Sequence, residues 1–330
     1  MGILTTLQSG DTTRIKEALQ GIKAFRDSDK SMTTDLEAII ARLQRYDFKE
    51  ARALEGFGQL EFIAIDRVHL MKIKTRNDCV YAMYVRALED DVTRRLCMRI
   101  AYDGTHYTGF QRQRHAHTVQ GTLEEALRHL LRHPISLTPA GRTDKGVHAM
   151  DQVIHLDTSS PLDDMTIQSK LNRVLPKAIR VRSIQTLPRV FHARFDALWK
   201  TYMYVIAKHH DPFLAHHATV SESLDVARFK EIITQVSGTH DFKGVAKDTS
   251  DAITTRTIQS VHVEEDETMV RVYIKAQGFL RHMVRIIVGN AIRDTKKGTT
   301  TLRDALNYPV ADRPKYMADA SGLYLYHIEY

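Results

Sequence analysis

The residues best suited to chemistry lie in one short run, residues 141–149, where an arginine and an aspartate stand two positions apart between two glycines. Glycine suits backbone with positive φ or backbone close to a ligand, so Gly141 and Gly146 predict a tight loop that presents Arg142 and Asp144. A carboxylate in a partly dry cleft can act as a nucleophile or as a base. On spacing alone, however, an aspartate in such a turn more often bonds its own backbone, and the arginine beside it is more often solvated.

The elements that must hold this loop are predicted from the hydrophobic pattern of residues 95–330, which repeats one plan in two halves. The first half, residues 95–198, carries the loop and predicts strands near 99–102, 153–156 and 180–184 and helices near 122–131 and 167–171. The second half, residues 199–330, predicts strands at 202–206, 257–263 and 270–276 and helices at 226–236 and 279–292. Two similar α+β halves favour a composite antiparallel sheet with helices on one face.

Two residues of the second half are further candidates, although each has a structural explanation. Tyr202 lies in a segment, residues 200–206, that alternates as a half-buried strand does, and its neighbour Tyr204 is expected to pack in the core. Arg285 lies in an apolar run, residues 279–288, whose spacing predicts the buried face of a helix. Its charge must reach solvent or pair with a carboxylate, because a buried unpaired charge is costly.

Short motifs are spread in order from Met98 to Tyr330. They include Tyr102-Asp103-Gly104, Phe110-Gln111-Arg112-Gln113, the 141–149 run, Phe191-His192-Ala193-Arg194-Phe195, Lys200-Thr201-Tyr202-Met203-Tyr204 and Phe279-Leu280-Arg281-His282-Met283-Val284-Arg285. In these residues and in this order the chain resembles the tRNA pseudouridine synthase A family. The resemblance implies the pseudouridine synthase fold, and it leaves residues 1–94 without a counterpart.

The resemblance also implies a reaction, in which uridine in tRNA becomes pseudouridine at positions 38 to 40 of the anticodon arm, without a cofactor or a metal. Asp144 matches the catalytic aspartate of the family. Arg285 matches the position that pairs with this aspartate, and Tyr202 matches the tyrosine that lies against the target base. Whether Asp144 attacks the sugar or the base, or accepts a proton, is left open by the sequence. The family typically works as a homodimer.

Substrate contacts are implied in the same way. Arg142 matches an arginine that occupies the space vacated when the target nucleotide leaves its helix, a task suited to a planar guanidinium. The other positions assigned to substrate binding are Gly141, Thr143, Arg194, Phe195, Phe279 and His282. Lys145 departs from the family, which commonly has a small residue after the aspartate.

The charge of the chain agrees with an RNA partner. Its formal net charge is +7, and of its 47 basic and 40 acidic residues, 15 of each fall in residues 1–94. The remaining 32 basic and 25 acidic residues lie in the part that resembles the enzyme, so all of the net charge is there. Phosphate contacts dominate the affinity of RNA-binding proteins, although positive charge alone is weak evidence of such a partner.

Composition argues against several other classes of protein. The cysteines, Cys79 and Cys97, do not make a disulfide framework, and no signal peptide or membrane-spanning run is recognised, so a cytoplasmic protein without membrane contact is expected. Among the 17 histidines, the pairs at 209–210 and 216–217 lie in a polar segment without a cysteine nearby. They are interpreted as solvated loop residues and not as metal ligands.

Residues 1–94 are predicted to form a helical amino-terminal extension. A capping-box pattern begins at Thr34, and apolar residues recur at helical spacing in residues 15–22 and 36–43. A further helical pattern is predicted around residues 80–88. Lys72, Lys74 and Arg76 are possible RNA contacts, but the balanced charge favours packing against the rest of the chain or a partner.

Two alternative functions are compatible with these patterns. One is a pseudouridine synthase with another RNA target, selected by the amino-terminal extension. The other is a tRNA-binding or tRNA-folding protein that needs no catalysis, for which replacement of Asp144 by Asn would leave function intact.

Overall fold

The computed structural model describes residues 59–65, 68–74, 79–84, 94–187, 191–247, 253–310 and 314–330. These residues fall into two compact units. The first unit contains the described residues up to Leu96 together with 157–159 and 186–196, and the second contains 97–156, 160–185 and the described residues from Ala197 onwards.

The first unit contains a three-stranded antiparallel sheet, ordered β1 (Gln59–Ile65), β2 (Val68–Lys74) and β3 (Cys79–Tyr84). The prediction of a helical extension is therefore wrong for residues 59–65, 68–74 and 79–84, and strand β3 occupies the start of the segment, residues 80–88, where a helix was expected. The β-branched and aromatic residues of β3, such as Val80 and Tyr81, favour a strand. The helices predicted at 15–22 and 36–43 lie outside the described residues.

A ten-stranded sheet forms from residue 94 onwards. Its strands are β4 (Arg94–Tyr102), β5 (Thr138–Pro139), β6 (His148–Thr158), β7 (Ile179–Leu187), β8 (Trp199–Ala207), β9 (Thr219–Val220), β10 (Gly238–Asp241), β11 (Thr255–Glu265), β12 (Met269–Ala276) and β13 (Leu323–Glu329). The main order is β10-β11-β12-β8-β13-β6-β4-β7, with β5 beside β6 and β9 beside β8. The helices of this part are α1 (Val119–Leu131), α2 (Asp164–Val174), α3 (Val226–Thr234), α4 (Met283–Lys297) and α5 (Thr301–Asn307).

This architecture confirms the predicted α+β class. Each strand and helix predicted for residues 95–330 is present, although its first or last residue differs from the prediction. Two of the described pairings differ from an antiparallel sheet. The short strand β9 is parallel to β8, with Thr219 opposite Ile206. Strand β13 is antiparallel to β8 but parallel to β6, with Tyr324 opposite His148. Strand β13 lies between β8 of its own half and β6 of the first half, and it runs antiparallel to β8 and parallel to β6.

Three of the helices begin at side chains that accept a backbone N–H, which satisfies a donor that has no partner inside the helix. Thr118 accepts from Gly121 before α1, Asp163 accepts from Thr166 before α2, and Asp225 accepts from the amide of Arg228 before α3.

Helix α4 begins differently and later than its sequence predicts. Its first residue is Met283, four positions after the predicted start at Phe279, because His282 has left-handed backbone dihedrals of φ 59° and ψ 4° and no side-chain cap. Residues 281–282 form a turn and residues 279–280 have no regular secondary structure, so the predicted first helical turn is not formed.

The core of the second half lies between its sheet and its helices. Tyr204 and Ile206 of β8 belong to one buried cluster with Val272 of β12, Phe229 of α3 and Ile287 of α4. Met203 and Val205 belong to a separate cluster with Ala207 and Ala218. The alternation predicted for β8 is thus confirmed, and Tyr204 is a fully buried core residue whose hydroxyl donates to the Asp319 carbonyl at 2.8 Å.

Within the part of the chain that the structure describes, no helix is both long enough and apolar enough to cross a membrane.

Candidate active site

A cavity of about 720 Å³ in the second unit brings together most of the predicted site residues. Its lining comes from the segment 108–113, from the 142–147 loop, from β8, from residues 279–285 at the start of α4 and from Leu323. The predicted residues among its lining are Arg142, Thr143, Asp144, Tyr202, Phe279, His282 and Arg285, and Lys145 lines it as well. The volume lies in the range typical of small-molecule sites. Residues that are far apart in sequence therefore meet around Asp144.

The backbone of the Asp144 loop packs against two glycines near the end of β4. A Cβ atom on Gly104 would lie 2.0 Å from the Val147 carbonyl oxygen, and one on Gly109 would lie 2.9 Å from the Thr143 carbonyl oxygen. Gly109 also has a φ of +89°, which side chains rarely adopt. The Phe110 amide donates to the same Thr143 carbonyl at 3.1 Å. These contacts fix the position from which the Asp144 side chain projects.

Of the two glycines in the loop, one has the positive φ that the sequence predicts and the other does not. Gly146 has a φ of +78°, as predicted. Gly141 is not in the left-handed region and does not line the cavity; its carbonyl accepts a hydrogen bond from the Gln152 side chain at 2.8 Å. Gly141 thus supports the loop through its backbone, and its assignment to substrate binding stays a prediction.

Replacement of Gly109 by Ala should misplace Asp144 and lower kcat/KM by about 100-fold, because a displacement near 1 Å of reacting groups has an effect of this size. Steady-state kinetics on a tRNA transcript, the substrate that the resemblance implies, measures this. Gly298→Ala is the matched control, since Gly298 also has positive φ, +66°, but no atom lies within 4 Å of its added Cβ. Equal activity of the two variants would contradict the role given to Gly109.

Within the described residues, the titratable group nearest to the carboxylate of Asp144 is a histidine. Nε2 of His282 lies 3.4 Å from Oδ2 of Asp144, and the side chains are 11% and 34% exposed. Arg285 lines the same cavity, but its Nε donates to the Ala318 carbonyl at 2.9 Å. Within the described residues, the ion pair expected between Arg285 and Asp144 is not formed, and His282 takes that position. Sequence reasoning assigned His282 to substrate binding and missed this contact.

An aromatic pair forms another part of the cavity lining. The rings of Tyr202 and Phe279 meet edge to face, with centroids 5.0 Å apart and an interplanar angle of 86°. Burial raises the pKa of the Tyr202 hydroxyl well above its ordinary value, and the nearby Tyr102 hydroxyl and Asp144 carboxylate raise it further. The hydroxyl is therefore neutral at physiological pH, and the pair offers an apolar surface suited to an unstacked base.

Tyr102 is a supporting residue that sequence reasoning did not select. It is 4% exposed, and its hydroxyl and the Thr143 hydroxyl lie 2.8 Å apart, in hydrogen-bond contact. Burial raises the pKa of Tyr102, so its hydroxyl also stays neutral. This bond ties Thr143, next to Asp144, to the end of β4. The Tyr102-Asp103-Gly104 motif indicates the family, but it does not by itself indicate the contact between Tyr102 and Thr143.

Arg194 and Phe195 belong to the first unit. The His192 ring stacks on Phe195 with centroids 4.2 Å apart, and the Arg194 guanidinium lies 5.7 Å from the centre of the Phe195 ring. Both side chains are exposed. Their assignment to substrate binding stays a prediction.

A histidine cluster lies beside the Asp144 loop. The side-chain nitrogen and oxygen atoms of Asp103, His148 and His217 that could bind a metal lie within 4.8 Å of one another. His217 therefore lies close to a carboxylate, which its interpretation as a solvated loop residue did not predict. Nδ1 of His148 accepts from the Gly104 amide at 3.1 Å, and Nε2 lies 3.2 Å from the Ser321 carbonyl. Burial lowers the pKa of His148, which favours the neutral ring that these bonds require. The cluster thus joins the turn after β4 to the start of β6.

Comparison with known proteins gives consistent matches. A family model described as tRNA pseudouridine synthase matches residues 98–196 and 232–330. The chain is 36% identical over 249 residues to tRNA pseudouridine synthase A of Exiguobacterium sp., covering 72% of this chain and 98% of that protein. It is 38% identical over 240 residues to the protein of the same name from Acetivibrio thermocellus, covering 70% and 97%. It is 35% identical over 247 residues to tRNA pseudouridine synthase A of Pseudoalteromonas translucida, covering 72% of this chain and 92% of that protein.

Proposed function

The chain belongs to the tRNA pseudouridine synthase family and is an isomerase that acts on tRNA; we propose that its targets are uridines at positions 38 to 40 of the anticodon arm and that Asp144 is the catalytic carboxylate. We further propose that it acts in the cytoplasm as a homodimer. The observation that carries the catalytic part is the convergence of Asp144, Arg142 and Tyr202 on one cavity.

The reaction needs no second reactant. The bond between N1 of uracil and C1′ of ribose breaks, a bond between C5 and C1′ forms, the proton on C5 leaves, and N1 ends with a proton. Atoms and electrons balance within the nucleotide. Asp144 is suited to either of two tasks, because an anionic oxygen can attack the sugar or base, or accept the proton from C5.

Each neighbour of Asp144 has a physical task in this proposal. Tyr202, with Phe279 against its edge, packs on the base after it leaves the helix, since stacking on aromatic rings is a common way to hold an unstacked base. Arg142 is exposed at the edge of the cavity, where its planar guanidinium can stack and bond in the space that the nucleotide vacates. The positive charge carried by residues 95–330 supports binding to the tRNA backbone.

Pseudouridine mapping tests the target. Purified protein is incubated with unmodified tRNA transcripts and with ribosomal RNA transcripts, and pseudouridine is located by base-specific chemical labelling and primer extension. We expect modification at positions 38 to 40 of tRNA only. Modification elsewhere would replace this target by the alternative synthase activity, and binding without modification of any RNA would favour the non-catalytic protein. Asp144→Asn protein run in parallel controls for contaminating synthases.

The homodimer is tested separately from the chemistry. Sedimentation equilibrium should give a mass of twice the 37.8 kDa of one chain. A single-chain mass at the concentrations used for catalysis would overturn the dimer and leave the proposed reaction untouched.

A further inference from the structure

A second cavity, of about 260 Å³, lies on the opposite face of the sheet from the candidate active site. Neighbouring residues line the two cavities: Val147 and Leu323 line the larger one, and His148 and Tyr324 line the smaller one. Successive side chains of a strand point to opposite faces of its sheet. In agreement, Leu323 belongs to the buried cluster that includes α3 and α4, whereas Tyr324 packs against the separate cluster on the other face.

Part of the lining of this smaller cavity, which we call the β7 groove, is basic. Lys177 comes from the turn after α2, and Arg180 and Arg182 come from β7, an edge strand of the sheet. All three residues are exposed. The side chains of Lys177 and Arg182 have no partner among the described residues, and Arg180 uses one N–H to donate to the Asn172 carbonyl at 2.7 Å. Their charges are therefore available to an anionic ligand.

The spacing of the two arginines suits a nucleic-acid strand. Arg180 and Arg182 are two positions apart on β7, so their side chains leave the same face of the strand from Cα atoms roughly 7 Å apart. Successive phosphates along a nucleic-acid strand are separated by a similar distance. A guanidinium can bind a phosphate through two parallel N–H groups. The pair therefore matches two neighbouring phosphates of one strand.

Another part of the lining is a stack of rings. Tyr324 stacks on His148 with ring centroids 4.6 Å apart, and the His148 and His217 centroids are 5.1 Å apart. His217 is the outer ring, and its side chain is 41% exposed. Histidine is one of the side chains on which unpaired RNA bases stack. Exposed cations and an exposed ring in one groove are the combination by which proteins bind single-stranded nucleic acid.

The acidic residue of the β7 groove does not offset these cations. Asp103 is the one acidic side chain among the described lining residues; it accepts from the Thr105 amide at 2.9 Å and lies 3.8 Å from Nε2 of His217. With one acid against three permanent cations, the groove is net positive. Its histidines form a poor metal site, because Nδ1 of His148 already accepts the Gly104 amide.

We propose that the β7 groove binds a single-stranded segment of tRNA that lies outside the anticodon stem-loop. The target nucleotide occupies the cavity on one face of the sheet, so a segment bound on the other face comes from a part of the tRNA that a short stem-loop does not reach. A cavity of about 260 Å³ is smaller than a typical small-molecule site, so it suits one strand and not a duplex. The inference rests on the proposed target in the anticodon arm for the choice of stem-loop.

Matched double variants test the cations. Arg180→Gln with Arg182→Gln, the groove variant, removes two positive charges from the β7 groove. Lys170→Gln with Arg173→Gln, the α2 variant, removes two from exposed residues of α2 that line neither cavity. Filter binding gives the Kd of each protein over a range of salt concentrations, both for a full-length tRNA transcript and for an anticodon stem-loop oligonucleotide.

The expected loss is specific for full-length tRNA. With this RNA, the Kd of the groove variant should rise about 10- to 30-fold at about 0.1 M salt, and the slope of log Kd against log salt concentration should fall by about 1 to 2, because two phosphate contacts are lost. The Kd for the stem-loop should change by less than about twofold, since no phosphate contact is lost there. The α2 variant should stay within about twofold of wild type for both RNAs.

Stacking and location are tested in the same system. His217→Ala should weaken binding of full-length tRNA by about 5- to 100-fold, the range for loss of one stacked base, and His217→Phe should restore the affinity. Hydroxyl-radical footprinting of the wild-type complex should show protected riboses outside the anticodon stem-loop. The groove variant should leave these riboses unprotected.

Three results would overturn the inference: an unchanged Kd of the groove variant for full-length tRNA, an equal loss for the stem-loop, or the wild-type footprint in the groove variant. Thermal unfolding of each variant identifies loss due to misfolding, and if the groove variant is unstable, the footprints of His217→Ala and His217→Phe decide. Failure of the proposed target looks different, because wild-type protein would then leave the stem-loop unmodified in the pseudouridine assay.

Discussion

Asp144→Asn should lower the single-turnover rate of pseudouridine formation by about 100- to 10,000-fold, the usual contribution of a positioned nucleophile or base. Asparagine has nearly the volume of aspartate, so the loop packing against Gly104 and Gly109 should persist. What is lost is the anionic oxygen. Affinity for tRNA should change little, because phosphate contacts made by basic residues dominate it.

The measurement is rapid-quench formation of pseudouridine with enzyme in excess over a tRNA transcript, together with a filter-binding Kd. Asp163→Asn is the matched control, because Asp163 caps α2 outside the cavity and Asn is an equally good cap. An Asp144→Asn rate within a few-fold of wild type would remove the basis for the catalytic assignment. Loss of binding in parallel with rate would instead indicate a damaged fold.

Arg142→Lys should lower turnover by about 10- to 100-fold although the positive charge is kept, because an ammonium cannot stack in the vacated space as a guanidinium can. The loss should depend on the structure of the RNA. Removing a uridine from a paired stem costs on the order of a few kcal/mol, and an unpaired uridine avoids most of that cost. The defect should therefore be large for a uridine in the anticodon stem and small for the same uridine in a single-stranded oligonucleotide.

Single-turnover rates on the two substrates test this dependence. Arg271→Lys provides the control for a charge-preserving change, since Arg271 of β12 pairs with Asp266 and does not line the cavity. Equal losses of Arg142→Lys on both substrates would assign Arg142 to general substrate contact and not to nucleotide extrusion.

The loop that carries Asp144 and the elements around it could be predicted because their signals are local. Gly146 has the positive φ that its residue type predicts, and β8 alternates between two buried clusters as its sequence does. The start of α4 shows where a local signal fails. Helix α4 begins at Met283 and not Phe279, because a histidine adopts a backbone conformation that its residue type does not predict.

Contacts between distant segments could not be predicted. The parallel pairing of β13 with β6 depends on where the last strand is inserted, and side-chain periodicity is the same for either strand direction. The hydrogen bond between Tyr102 and Thr143 joins residues 41 positions apart, and neither residue type requires the other. Strands β1 to β3 show a different limit, since short apolar runs fit helix and strand patterns alike.

By itself, the sequence determined the family to which the chain belongs and supplied the candidates for the chemistry, because these depend on residue types and their order. It also determined most of the strands and helices, whose hydrophobic periods are properties of short segments. Only the tertiary structure decided which group faces the Asp144 carboxylate. A contact of 3.4 Å between residues 138 positions apart depends on the packing of the loop, the sheet and α4 together, and that packing placed His282 and not Arg285 against the carboxylate.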